Sequence, residues 1–257
     1  MSNYIEVKND NSNVIINDNF KNITLTNKVI INEQGSGTAN DTYKFCSNGY
    51  AGVSDSTGHA DYPKWYYVLV PIRENVISFV SCSEPTVLVH MNDIFTYENR
   101  FSAKRIEFFL PSGKTINDLL GKVTIYEFSY SSSLSSGPCG VQIFNASNEK
   151  IFDTNYKYLN IIKCISDNAA IDGTPFGADD IAIHFGSYSC RYVSPGSYVV
   201  SAMIYHALRF NANKTLSAIP VSVGITQSFN NVWGTGYDYP DYQFFYSPLL
   251  IADVTNY

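Results

Sequence analysis

The sequence predicts an all-β protein built from two tandem, related antiparallel β-sandwich modules. Three observations lead to this fold class: short runs of β-branched and aromatic residues along the whole chain, turn-forming clusters between them, and an internal repeat. Strands of five to eight residues separated by Gly, Pro, Asn, Ser and Asp are typical of antiparallel sandwiches. Sustained helical periodicity of 3.6 residues is nearly absent from the sequence.

The predicted strands follow one another through both halves of the chain. Each is a short hydrophobic run whose β-branched or aromatic members favour the extended conformation. The best candidate for a short helix is Ser112–Gly121, in which Thr115 caps a turn that Gly121 closes. The predicted strands are Tyr66–Pro71, Asn75–Cys82, Thr86–His90, Arg105–Leu110, Lys122–Phe128, Asp180–Phe185, Tyr198–Tyr205, Ile219–Ile225 and Leu249–Val254.

The internal repeat has a constant offset. The segment Ile5–Leu25 aligns without a gap on Val141–Ile161, so the offset is 136 residues (141 − 5), about half of the chain. The identical pairs are Asn9/Asn145, Ile15/Ile151, Asn19/Asn155 and Lys21/Lys157, and conservative pairs include Ile5/Val141, Val7/Ile143, Ile16/Phe152, Asn17/Asp153, Phe20/Tyr156 and Ile23/Leu159. A duplication of this kind favours a structural or binding protein over an enzyme with one asymmetric site.

Each copy of the repeat predicts a β-hairpin at the start of its half. In the second copy, Val141, Ile143 and Asn145 alternate with Gln142 and Phe144, as expected of a half-buried strand. A turn of hairpin length and a return strand follow. The predicted parts are Val141–Asn145, Ala146–Glu149 and Lys150–Asp153 in the second copy, and Ile5–Lys8, Asp10–Asn13 and Val14–Asn17 in the first.

A boundary between the modules is predicted near residue 137. The segment Ser129–Pro138 is rich in Ser and contains Gly and Pro, as in flexible linkers. The division is therefore residues 1–130 for the first module, 131–138 for the linker and 139–257 for the second module. The alternative is that the segment is an ordinary long hairpin loop within one sandwich.

Composition and charge exclude several classes of function. The chain of 257 residues has a net charge of −6, which argues against binding to nucleic-acid phosphates. No apolar run is long enough to predict a transmembrane helix, and the first residues predict no secretory signal. The five cysteines are odd in number and contain no close pair, which favours free thiols over a disulfide framework.

No cofactor, metal site or catalytic site is predicted. The four histidines, His59, His90, His184 and His206, do not occur at metal-ligand spacings. Acidic residues could form a glycosidase pair only in the general sense that any two carboxylates could, and a solvated turn is the better interpretation of Asp179–Asp180. The candidates are Glu98, Glu107, Asp179 and Asp180.

Two aromatic segments are the predicted partner-binding sites. The segment Asn230–Tyr242 combines aromatic rings with amides, carboxylates and glycines, a combination that suits sugar rings or protein interfaces. A similar but shorter segment surrounds Trp65 in the first half. The predicted binding residues are Asn231, Trp233, Tyr237, Tyr239 and Tyr242 in the second half, and Tyr62 and Trp65 in the first. The alternative is that Trp65 and Trp233 are core residues.

The segment Gly140–Tyr156, together with the ending Ile251–Tyr257, resembles small β proteins encoded in the tail region of tailed bacteriophages that infect Gram-negative bacteria. Their usual pattern is a strand of Gly-hydrophobic-Gln-hydrophobic-aromatic-Asn/Asp, a turn that contains Gly, and a strand of hydrophobic-Phe-Asp-Ser/Thr. This sequence has Asn148–Glu149 at the turn, and the first copy has Glu6 and Lys8 in place of the Gln and the aromatic residue.

The resemblance implies a structural or adhesion protein of the virion, at the tail tip or tail fibre, made in the host cytoplasm and oligomeric in the particle. The implied partners are other tail proteins, and a bacterial surface glycan or outer-membrane receptor. The first alternative is a soluble lectin-like carbohydrate-binding protein, and the second is a tail enzyme that degrades polysaccharide.

Overall fold

The structure is a computed structural model, and it confirms the all-β fold class. It describes residues 6–8, 14–17, 22–38, 41–47, 53–55, 64–97, 101–130, 140–144, 147–165, 171, 175–185, 190–193, 201–225 and 249–257. Within these ranges, no helix has the length and apolar character needed to cross a membrane. The strands are β1 (Glu6–Lys8), β2 (Val14–Asn17), β3 (Thr24–Ile30), β4 (Phe45–Ser47), β5 (Val53–Asp55), β6 (Lys64–Pro71), β7 (Val76–Cys82), β8 (Leu88–Tyr97), β9 (Phe101–Leu110), β10 (Val123–Ser129), β11 (Gln142–Phe144), β12 (Lys150–Asp153), β13 (Ile161–Ile165), β14 (Ile181–Phe185), β15 (Cys190–Val193), β16 (Ser201–Phe210), β17 (Leu216–Ile225) and β18 (Leu249–Asp253).

Most of these strands belong to two large antiparallel sheets. The six-stranded sheet has the order β13-β18-β14-β7-β10-β3. The eight-stranded sheet has the order β4-β6-β9-β8-β16-β17-β5, and β15 also pairs with β16. The hairpins β1-β2 and β11-β12 form small sheets of their own.

The two halves of the chain lie side by side in both sheets. In the six-stranded sheet, one group of three strands comes from each half, and the groups meet where Ile183 of β14 pairs with Val80 of β7. On both sides of this junction the last strand of the half, β10 or β18, lies between the other two. In the eight-stranded sheet the halves meet between β8 and β16, whereas β5 of the first half pairs with β17 of the second. The strand order of the six-stranded sheet is thus symmetric about its junction.

Further contacts between the halves also join equivalent elements. The hairpin strand β2 contacts its equivalent, β12. Just beyond the hairpins, the N–H of Leu159 donates to the carbonyl of Ile23 at 2.9 Å, and these residues are equivalent at the offset of 136. The N–H of Leu25 donates to the carbonyl of Lys157 at 2.7 Å. These contacts agree with an approximate two-fold relation between the halves. Independent folding of residues 139–257 stays a prediction.

The main core lies between the two large sheets and contains residues of both halves. In β9, Ile106 and Phe108 alternate with side chains that point to the other face, and they pack toward Ile125 and Ile183 of the six-stranded sheet. The ring of Phe108 meets that of Phe45 edge-on, with the centroids 5.3 Å apart. Full burial of one such side chain contributes about 1.5–3 kcal/mol, so this shared core is the main source of stability.

A second apolar cluster covers the outer face of the six-stranded sheet. It contains Phe79 and Phe128, and the ring of Tyr257 packs edge-on against Phe128 with the centroids 5.8 Å apart. The hydroxyl of Tyr257 donates to the carbonyl of Tyr158, and the ammonium of Lys28 donates to the carbonyl oxygen of Tyr257 at 2.6 Å. Tyr257, which follows β18, is therefore held in place by contacts with residues of both halves.

A buried carboxylate is fully paired near one end of the main core. Glu127 is inaccessible to solvent and accepts hydrogen bonds from the Asn27 amide at 2.7 Å, the Tyr43 hydroxyl at 2.8 Å and the Arg73 guanidinium at 3.1 Å. Because a buried charge is tolerated only when it is paired and hydrogen-bonded, this group is structural.

The predicted short helix is present in reduced form. It is a 3₁₀ helix, Ile116–Asp118, and its N-cap is Thr115. The N–H of Thr115 donates to the Asp118 carboxylate at 2.7 Å, which satisfies a donor at the start of the helix. Gly121 then adopts a left-handed conformation, with φ of +74°, and the chain turns into β10.

Candidate functional site

The two repeat hairpins have the same strand register. In β1-β2, Glu6 pairs with Asn17 and Val7 with Ile16; in β11-β12, Gln142 pairs with Asp153 and Ile143 with Phe152. Adding 136 to each residue number of the first hairpin gives the second. Both ladders are also interrupted at the equivalent step, between Val7 and Lys8 and between Ile143 and Phe144. The repeat detected in the sequence therefore corresponds to a repeated structural unit.

A buried carboxylate organises the second hairpin. Asp153 is inaccessible to solvent and accepts hydrogen bonds from the Gln142 amide at 3.0 Å and the Lys150 ammonium at 3.1 Å. The backbone and side-chain N–H groups of Asn155 donate to its other oxygen at 2.9 and 2.8 Å. The bonds from Asn155 and Lys150 hold the pKa of Asp153 down, to about 2. The carboxylate is thus charged at neutral pH and ties both strands to the turn that follows them.

Aromatic rings extend this network toward the body of the protein. The ring of Phe152 stacks on that of Tyr158, with the centroids 5.2 Å apart and the planes at 7°. The Tyr158 hydroxyl bonds with the backbone of Asp153, and the Lys150 ammonium donates to the Tyr156 hydroxyl at 2.9 Å. At the positions equivalent to Lys150, Asp153 and Tyr158, the first copy of the repeat has Val14, Asn17 and Asn22. The first copy therefore lacks the residues to build this network.

The outer strand of the second hairpin differs from the expected half-buried strand. Val141 and Phe144 are 59% and 47% exposed, Gln142 is exposed, and Ile143 is only partly buried. The alternation of buried and accessible residues is found instead in β12, where Ile151 and Asp153 are buried. The reason is that β12, rather than β11, faces the body of the protein. Among the described strands, β11 pairs with β12 alone, so its other backbone edge is open.

Trp65 lies in the interior of the protein. It is 9% exposed and packs against Phe109, its cross-strand neighbour, with the ring centroids 5.5 Å apart. The Arg105 guanidinium lies over the rings of Trp65 and Tyr67, at 5.5 and 4.2 Å from their centroids. This packing agrees with the alternative that Trp65 is a core residue, and it leaves little of the ring accessible to a partner.

A second buried carboxylate lies on the same face of the eight-stranded sheet as Trp65. Glu107 is 2% exposed, and its cross-strand neighbours are Tyr67 and His90. One carboxylate oxygen lies 2.9 Å from Nε of Arg105, and the other, Oε2, has no hydrogen-bond partner among the described residues. Burial raises the pKa of Glu107 to about 7, although Arg105 acts in the opposite direction. A carboxyl that titrates near neutrality can serve in acid–base chemistry, but this one is closed off from solvent.

The other candidate residues have simpler settings. Asp179 and Asp180 form an exposed turn, whose two N–H groups donate to the Thr255 hydroxyl at 3.0 Å. The ring nitrogen Nδ1 of His184 lies 2.8 Å from the carbonyl of Ser78. In the described part of the chain, no group of three or more His, Cys, Asp or Glu side chains is placed to hold a metal ion. The candidates Tyr62, Asn231, Trp233, Tyr237, Tyr239 and Tyr242, and also Glu98 and His59, lie outside the described residues.

Comparison with known proteins gives no match: no protein-family model, no curated protein and no solved structure is similar to this chain. The arguments about function therefore come from the sequence and from the geometry of the described residues.

Proposed function

We propose that this chain is a non-enzymatic structural and adhesion component of a tailed-phage virion, located at the tail tip or tail fibre. Its role there is to join neighbouring tail proteins or to contribute to recognition of the host surface. The observation that carries the proposal is the β11-β12 hairpin, because this segment bears the resemblance to phage tail proteins and also has the properties of a docking element.

Two of those properties concern surface and backbone. Val141 and Phe144 expose large apolar side chains on a hairpin whose outer strand, among the described strands, has one unpaired edge. Apolar side chains stabilise an interface when they are removed from water. An open strand edge can accept a further strand from another chain through backbone hydrogen bonds.

A third property is rigidity. The hydrogen bonds to Asp153 hold both strands and the following turn in one conformation. A docking element that is already ordered loses less conformational entropy on binding. The hydrogen bonds to the buried Asp153 therefore fix the conformation of the strand that exposes Val141 and Phe144.

The location is tested on purified particles. Mass spectrometry of virions should detect the chain, and negative-stain microscopy with a specific antibody should place the label on the tail. Absence of the chain from purified virions would refute the proposal.

The docking role is tested with a double variant, Val141→Ser together with Phe144→Ser, in the full-length chain. The variant should retain the wild-type melting temperature, because both side chains are already exposed, but should enter particles less efficiently. The matched control is Ile72→Ser, which removes an apolar side chain that is 42% exposed at the loop after β6. Equal incorporation of both variants would show that the hairpin is not the docking element.

A further inference from the structure

The outer strand of the second hairpin, β11, has a backbone donor and a backbone acceptor on its open side. The N–H of Thr154 donates to the carbonyl of Val141 at 3.0 Å, and the N–H of Val141 donates to the hydroxyl of Thr154 at 3.0 Å. The backbone groups of Val141 therefore point toward β12. Because successive residues of an antiparallel strand point their backbone groups to opposite sides, the N–H and carbonyl of Gln142 lie on the side away from β12. None of the other described strands pairs with that side.

The residues of this edge favour pairing with a further strand. The side chains of Val141 and Phe144 are exposed, and β11 contains no charged residue. The two strands at the ends of the six-stranded sheet differ in this respect, because β3 contains Lys28 and β13 contains Lys163. A lysine on an edge strand opposes pairing with another chain. The edge of β11 has no such protection.

The stretch Val141–Ile143 is complementary to itself. It precedes the register shift of the hairpin, so its backbone is regular. In an antiparallel pairing centred on Gln142, the two copies of Gln142 exchange a pair of backbone hydrogen bonds, and Val141 of each copy lies opposite Ile143 of the other. Both of these cross-strand pairs are apolar, and no like charges lie opposite each other. A partner strand with the same sequence as β11 therefore satisfies both the backbone and the side chains of this edge.

The repeat already pairs with its own copy inside the chain. Ile23 and Leu159 are equivalent at the offset of 136, and the N–H of Leu159 donates to the carbonyl of Ile23 at 2.9 Å. The neighbouring residues Thr24 and Tyr158 form an antiparallel bridge. Equivalent residues thus meet at the approximate two-fold axis, as they do in the isologous contact of a dimer. A two-fold contact between two β11 strands repeats, between chains, the kind of contact that joins the halves within one chain.

We infer that β11 pairs with β11 of a second copy of this chain, in an antiparallel, two-fold arrangement centred on Gln142. The inference rests on the proposed function and deepens it, since it names the partner of the same docking hairpin. The pairing joins the two-stranded hairpins of both copies into one sheet of four strands. A sheet of three or more strands is more stable than an isolated hairpin, so the contact stabilises the hairpin as well as the dimer.

The test is sedimentation equilibrium of the full-length chain, at an ionic strength that screens the net charge of −6 on each copy. The wild type should show an equilibrium between monomer and dimer. Val141→Lys should raise the dissociation constant about tenfold or more, because each lysine would lie opposite the apolar Ile143 of the other copy. Hydrogen exchange locates the contact: the N–H of Gln142 should be protected in the wild-type dimer and unprotected in Val141→Lys.

The matched control is Ile161→Lys, an equivalent substitution at a position that is 40% exposed on the edge strand β13 of the same half. It should leave the dissociation constant unchanged, and thermal melts verify that both variants are folded. The inference is overturned if the wild type remains monomeric up to about 1 mM, if both variants weaken association equally, or if species larger than a dimer form, since a two-fold contact closes after two copies.

Failure of this inference is distinct from failure of the proposed function. If the chain is monomeric but the double variant Val141→Ser and Phe144→Ser still enters particles less efficiently, the hairpin is a docking element whose partner is a different protein. If the chain forms the dimer but is absent from purified virions, the pairing of β11 stands and the location in the virion is refuted.

Discussion

The buried carboxyl of Glu107 should make the stability of this protein depend on pH in an unusual direction. Carboxylates that are paired and hydrogen-bonded are stabilised in the charged form, whereas burial here raises the pKa of Glu107 from 4.5 to about 7. The folded state thus retains the proton more strongly than the unfolded state. The contribution to stability is complete below pH 4.5, declines as the pH rises, and is lost above about pH 7.

The magnitude follows from the difference in pKa between the two states. It is 2.5 units (7 − 4.5), and each unit corresponds to about 1.36 kcal/mol, which gives about 3 kcal/mol. No reduction for solvent screening is needed, because the side chain is 2% exposed. In a variant Glu107→Gln this loss cannot occur, since the amide does not ionise.

The assay is urea unfolding, followed by far-ultraviolet circular dichroism, at a series of pH values from 4.5 to about 8. The free energy of unfolding of Glu107→Gln, relative to wild type, should increase by about 3 kcal/mol across this range. The exposed residue Glu74 provides the control, because the free energy of unfolding of Glu74→Gln should change with pH in the same way as that of the wild type. If the curves for Glu107→Gln and wild type remain parallel, the carboxyl is not destabilised by burial and the reasoning is wrong.

Three other perturbations test separate parts of the structure. Burial lowers the pKa of His184 to about 4, so the neutral ring stabilises the folded state above pH 6.5 and this contribution declines as the pH falls toward 4. In His184→Asn, the free energy of unfolding from urea titrations should therefore depend less on pH between 6.5 and about 4. An unchanged pH dependence would contradict the assignment. The Asp153 carboxylate should become protonated as the pH falls through about 2, which weakens the hydrogen bonds that it accepts. Asp153→Asn should remove this transition from the amide shifts of β11 and β12, and unfolding of the whole protein at the same pH would contradict the prediction. Residues 139–257 alone should give a dispersed proton NMR spectrum, since both edges of β18 are paired with strands of the same half, β13 and β14. Their stability should be reduced, because Ile183 loses its partners across the junction, and a disordered or aggregated sample would favour one interleaved sandwich.

The strands that the sequence predicted are mainly those that pack on the core. Val68 and Val70 in β6, and Val123 and Ile125 in β10, lie in nearly continuous hydrophobic runs, because their side chains pack in the main core and neighbours on the other face of each strand are buried as well. Thr115 and Gly121 located the 3₁₀ helix because capping and a left-handed turn require particular residue types. The hairpins were predicted from local pattern together with the repeat, and their registers agree with the offset of 136.

The strands that the sequence did not reveal are at the edges of the sheets. Strand β3 contains Asn27 and Lys28, and strand β13 contains Lys163, so neither has a continuous hydrophobic run. Both occupy an end of the six-stranded sheet. Charged residues are common on edge strands, where they oppose pairing with other chains, and for this reason the hydrophobic pattern alone does not identify such strands.

Tertiary packing decided the properties of the candidate sites. Nothing in the local sequence around Val141 indicates that β12, and not β11, packs on the body of the protein. Trp65 follows Pro63 and Lys64 in a segment that resembles an exposed loop, yet it pairs with Phe109 and is buried. The depth of Glu107 depends on its position in a central strand between β6 and β8, which a single sequence does not provide.

The approximate two-fold relation between the halves has a consequence for how the molecule can change. Two identical subunits would separate on dilution, and every substitution would appear in both of them. Covalent linkage removes the dependence on concentration and lets each half mutate by itself. The hairpins already differ in this way: one retains Asp153 and its partners, whereas the other has Asn17 at the equivalent position. One half is therefore free to acquire a new contact while its counterpart continues to support the shared core.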